Sequence, residues 1–115
     1  MSVAVLTIGT TLVASLPEGM TDRELQELQQ RLLERLSAAR YRGLVLDLSA
    51  MPVVDSYMGR MISETAAMCR LMGAKTVVVG LRPAVAITLV ELGLDLPGVA
   101  ADLDLEKGLA WLRES

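Results

Sequence analysis

The chain has 115 residues, 52% of them hydrophobic, a mean hydropathy of +0.44 and a formal net charge of −3. That length makes one domain, expected over residues 1–115, large enough to bury a core without disulfides or metals. The negative balance argues against general nucleic-acid binding, and no apolar run approaches the roughly 18 residues of a membrane span.

The N-terminus, MSVAVLTIGT, carries neither a basic nor a long apolar segment, so no signal peptide is expected. VAVLTI (3–8) and LVASL (12–16) predict short strands joined by a tight turn at Gly9-Thr10. Thr21 and Glu24 form the capping-box pattern T-x-x-E. Beyond it Leu25, Leu28, Leu32, Leu36 and Ala39 recur on one face, with Leu33 beside them, and Glu27 and Arg31 stand four apart on the wet side. LVLDL (44–48) and KTVVVG (75–80) show little polar alternation, which suits strands covered on both faces.

Between those strands a second helix begins near Asp55. Its apolar positions are Tyr57, Met58, Met61, Ile62, Met68, Cys69 and Met72, and Gly73 is a natural residue just past its end. A third helix starts with Pro83 and ends at Gly93. Its only polar side chains are Thr88 and Glu91, so it should be covered on more than one side, partly by another subunit. GVAADL (98–103) predicts a last strand, and a last helix runs from about Asp104 to Trp111 or beyond. The order β-β-α-β-α-β-α-β-α predicts an α/β fold, mostly parallel, with an N-terminal β-hairpin and about four helices.

The residue inventory removes much chemistry. There is no histidine, which excludes Ser-His-Asp and Cys-His catalysis and the commonest metal ligand. One cysteine without histidine cannot form a structural zinc site. The glycine-rich phosphate loops are missing, and there is no aromatic platform for stacking bases. No catalytic residue, metal or cofactor is therefore expected. Cys69 and the methionines at 58, 61, 68 and 72 are read as core, and a lone cysteine fits a reducing cytoplasm. LVLDLSAMP resembles the phosphoryl-accepting strand of receiver domains, with Asp47 as acceptor. The acidic pair, the Ser or Thr and the Lys that such a domain needs are absent from the matching places.

The segment SAMPVV (49–54) joins strand to helix yet is apolar, whereas connections are usually polar. It is either packed under neighbours or offered to a partner. Asp55 and Ser56 both suit the start of a helix, and Asp55 is the expected cap. Gly59 and Arg60 follow, and are expected to leave an open patch one turn along. A helical glycine costs about 1 kcal/mol relative to alanine, which close approach of another protein's backbone would justify.

LVLDLS, a short apolar loop, D-S-Y-M-G opening a helix, and RLMGAKTVVVGLRPAVAITLVELG together carry a resemblance. The chain resembles the STAS domain, the fold of bacterial anti-sigma-factor antagonists, and within it the stressosome proteins of the RsbS and RsbR types. A lone STAS domain with a serine at the switch position is closer to the RsbS type. The resemblance implies a cytoplasmic, non-catalytic regulator without cofactor. It implies phosphorylation of Ser56 by an RsbT-like serine kinase, with Thr88 as a second candidate. It also implies partnership with RsbR-like STAS paralogues in a homodimer or larger assembly. Asp47, Ser49, Asp55, Gly59 and Arg60 would form the kinase contact around the switch. Two alternatives within the fold are a SpoIIAA-type direct antagonist of an anti-sigma-factor kinase and a small-molecule-binding module.

Overall fold

The computed structural model describes residues 3–91 and 99–114. Five strands, β1 (Val5–Ile8), β2 (Thr11–Ser15), β3 (Gly43–Asp47), β4 (Lys75–Val79) and β5 (Val99–Asp102), form one sheet in the order β1-β2-β3-β4-β5. The first pair is antiparallel and the others are parallel. Four helices are seen: α1 (Asp22–Ala38), α2 (Ser56–Leu71), α3 (Pro83–Glu91) and α4 (Leu105–Glu114). The expected alternation is therefore present. The hairpin closes at Gly9-Thr10, with Gly9 at φ 59°, the left-handed region that glycine enters without strain.

Side-chain alternation splits β2, β3 and β4 between two cores. Leu12, Ala14, Leu44, Leu46 and Val78 face one side, where Leu25, Leu28, Leu32 and Leu36 of α1 and Met58, Met61, Ile62 and Cys69 of α2 cover them. Val13, Val45, Val77 and Val79 face the other side, beneath Leu105, Leu109, Trp111 and Leu112 of α4. This is why β3 and β4 lack polar alternation. Each fully buried leucine contributes about 1.5–3 kcal/mol by leaving water.

Two glycines let α4 approach the sheet. A Cβ on Gly108 would stand 2.7 Å from Val79 Cγ1, and one on Gly43 would stand 2.8 Å from Leu112 Cδ1.

The capping box closes as anticipated: Glu24 N–H donates to Thr21 Oγ1 at 3.1 Å, and Thr21 N–H donates to Glu24 Oε1 at 3.0 Å. Four expectations need correction. Ala39 lies beyond α1 as its exposed C-terminal cap, because the apolar stripe outlasts the helix. Glu27 turns back to Arg23 at 3.4 Å rather than forward to Arg31. Met68 is half-buried, and Met72 caps α2 with 40% exposure, so the methionine stripe is core only at its first half. Gly59 is buried inside the domain, so the anticipated open patch is absent there. The ends expected at Gly93 and Gly98 lie outside the described residues.

Candidate functional site

The carboxyl ends of β2, β3 and β4 lie side by side, since Ser15 pairs with Asp47 and Asp47 with Val79. In parallel α/β sheets the loops at this edge are where ligands and partners usually meet the fold. Leu16 N–H donates to Asp47 O at 3.0 Å and Leu48 N–H to Val79 O at 3.0 Å, carrying the ladder one residue into each loop.

The loop from β3 to α2 is both packed and offered. Met51 and Val54 are buried at 5% and 1% exposure, whereas Val53 is 71% exposed and Pro52 stands outside with it. Two apolar anchors three residues apart therefore hold the intervening pair outward. Glu18, Met20, Met51, Pro52, Val53 and Asp55 are among the residues lining a shallow cleft of about 280 Å³.

Asp55 caps α2: Met58 N–H donates to its Oδ1 at 2.9 Å, and Gly59 N–H to its carbonyl at 3.0 Å. Ser56 is the first helical residue. It is exposed, and its hydroxyl makes no hydrogen bond among the described residues. Free first-turn N–H groups and the helix dipole favour negative charge there. Arg60 is exposed four residues along, and lines a groove between α1 and α2 with Gln29, Tyr57 and Glu64.

Asp47 and Ser49 belong to a second knot, toward α3. Asp47 Oδ1 accepts from Ser49 N–H at 2.9 Å, and Arg82 Nε–H donates to Ser49 O at 3.1 Å. Gly80, at φ 72°, closes it: a Cβ there would meet Ser49 Cβ at 2.8 Å and Asp47 Oδ1 at 3.0 Å. Asp47 thus braces its own loop. Gly80 and Arg82 were not singled out from the sequence; a glycine and a basic residue directly after β4 were the available signal. Thr88 is half-buried in α3, and its hydroxyl donates to Ala84 O at 2.9 Å. Among the described residues no group of three His, Cys, Asp or Glu could hold a metal, and no helix is long and apolar enough to cross a membrane.

The model of the STAS domain matches residues 2–104. The chain belongs to the STAS domain family. Among solved structures, this STAS chain is similar to Moorella thermoacetica RsbS in a serine-to-glutamate variant, at 37% identity and a TM-score of 0.88, covering 99% of this chain and 97% of that one. A structure described as the molecular architecture of the stressosome, a signal integration and transduction hub, matches at 36% identity and a TM-score of 0.82, with 96% of each chain covered. The Bacillus subtilis RsbT co-antagonist protein RsbRD is 37% identical over 81 residues, which are 70% of this chain and 29% of that protein. RsbRA from the same organism is 34% identical over 92 residues, 79% of this chain and 34% of that protein. The chain thus spans about a third of the length of these curated relatives. Unphosphorylated SpoIIAA, at 12% identity and a TM-score of 0.79, shares the STAS fold. The protein is a STAS domain related to RsbS and to the RsbT co-antagonists.

Proposed function

We propose that this protein, acting as one STAS module over residues 1–115, is a non-catalytic scaffold that sequesters an RsbT-like serine kinase in the cytoplasm and releases it when Ser56 is phosphorylated. RsbR-like STAS paralogues are its partners in a mixed assembly. One observation carries the reading: Ser56 presents a hydroxyl without a partner among the described residues, in the first turn of α2, beside the outward Pro52-Val53 pair. Asp55 already supplies the cap, so the helix does not need the Ser56 hydroxyl.

Phosphate at Ser56 adds about −1.5 to −2 charges. The helix N-terminus tolerates that charge, and Arg60 follows at the spacing that suits an acid four residues before a base. The fold therefore persists while the surface beside an apolar docking pair gains negative charge. A kinase seated over Pro52 and Val53 meets both bulk and repulsion. Asp55 and Arg60 contribute charge to this contact, and Asp47 and Ser49 hold its loop. Gly59, being buried, stands outside this contact. A serine-to-glutamate variant of RsbS, which keeps the same fold at a TM-score of 0.88, supports a domain tolerant of added acid. Relatives at 34–37% identity are named as RsbT co-antagonists, against 12% for SpoIIAA, which favours an RsbT-like kinase over a SpoIIAA-type partner.

Phosphopeptide mapping after incubation with the cognate kinase tests this reading. The label is expected on Ser56, with incorporation mostly lost in Ser56→Ala. Label on Ser49 or Thr88, with Ser56→Ala modified normally, sinks it.

A further inference from the structure

The amino ends of the central strands hold a second site, at the opposite edge of the sheet from Ser56. Thr11, Gly43 and Lys75 are aligned in register there, and with Arg42, Gly73 and Arg113 they line a pocket of about 420 Å³. Among the described residues that line it, three side chains are cationic and none is acidic. That concentration stands out in a chain of net charge −3.

Among the described residues, Arg42 and Arg113 make no side-chain hydrogen bond and have no carboxylate within ion-pair distance. Lys75 Nζ lies over the Trp111 ring at 6.0 Å, a contact that leaves its N–H donors unspent. The nearby backbone donors are already used: Arg42 N–H donates to Thr10 O at 2.8 Å, and Lys75 N–H to Arg42 O at 3.0 Å. The site's free capacity is therefore its cations and the hydroxyls of Thr10 and Thr11. Gathering three like charges costs energy unless an anion offsets it.

We propose that this pocket binds a small anion bearing two or more phosphate groups, held by Arg42, Lys75 and Arg113. Guanidinium forks match phosphate oxygens two at a time, and Lys75 adds a mobile point charge. The pocket volume falls within the roughly 300–1,000 Å³ of small-ligand sites. Open space beside Gly73, at φ 83°, leaves one wall free of side-chain bulk. This site is separate from Ser56 and does not depend on the switch.

Calorimetric titration of the full chain with inorganic pyrophosphate and, separately, with ADP tests it at low ionic strength. Saturable one-to-one binding is expected. The Arg42→Gln, Arg113→Gln double variant should bind roughly tenfold or more weakly, the loss expected when two charge-assisted contacts go. Arg31→Gln, on the outer side of α1, should bind as the parent does. Equal binding of the two ligands assigns recognition to the diphosphate alone, and tighter ADP binding extends it to a nucleotide; both support the site. Absence of saturation with either ligand at millimolar concentration overturns it. So does undiminished binding by a double variant whose thermal melt shows it folded.

Discussion

Asp55 and Ser56 are adjacent and both suit a helix start, yet only Asp55 caps α2. Replacing Asp55 with alanine removes the acceptor for Met58 N–H and should cost about 1 kcal/mol of stability, visible as a lower urea midpoint. Ser56→Ala removes a hydroxyl that bonds nothing among the described residues and should leave that midpoint almost unchanged. Equal losses would show that both residues cap the helix. Cys69 is fully buried, and burial pushes its thiol above the ordinary value of 9.0, with Thr76 pulling weakly the other way. The unfolded chain then loses the thiol proton first as pH rises. Stability from this group is intact below about pH 9 and declines above it. Native protein at pH 7 should resist a thiol reagent until denaturant is added; rapid labelling of the folded protein would contradict the burial. The core role of Cys69 was legible because it sits on an apolar helical stripe. The burial of Gly59 was not, because a glycine in a helix can serve either an inner or an outer close approach.

At the scale of elements, periodicity carried most of the fold. Leucines at 25, 28, 32 and 36 mark the buried face of α1, and the capping box marks its start. Boundaries were less visible: Ala39 continues the stripe after the backbone has left the helix. The spacing of α4 from the sheet was invisible, because Gly108 gains its meaning only once Val77 and Val79 lie beneath it. Alanine there gains up to about 1 kcal/mol in helix propensity. It also forces a Cβ to 2.7 Å from a stiff, buried Val79. Overpacking of this kind costs about 1–3 kcal/mol, so Gly108→Ala should lower the melting temperature. A rise would mean that α4 shifts outward at little cost. The knot of Asp47, Ser49, Gly80 and Arg82 was likewise half-seen. Its acidic and serine members were chosen from the loop, but the loop that holds them comes 33 residues later in the chain.

For the whole molecule, the high hydropathy has a visible address. Only Val85 and Leu89 of α3 are buried, while Ile87 and Val90 are 58% and 73% exposed. Ala86 and Glu91 join Ile87 and Val90 around a shallow apolar hollow. The domain's own residues thus cover one side of a helix that lacks a polar one. Ile87→Lys should keep the circular-dichroism spectrum and weaken self-association or co-assembly with an RsbR-like partner, measured by sedimentation. Unchanged sedimentation would place the contact elsewhere. The demand for cover was legible in the helix's apolar composition, which already pointed to Ile87; that Val90 stands exposed beside it became visible only with the helix's orientation.

Among the described residues both edge strands of the sheet are short: β1 and β5 have four residues each. At about 3.3 Å per residue, neither offers a long template for strand addition. Copies that meet through α3 side chains would not have to share a backbone ladder. Exchanging one subunit for another would then break packing contacts but no run of main-chain hydrogen bonds. A mixed assembly joined in this way could be re-sorted among related subunits without any of them unfolding.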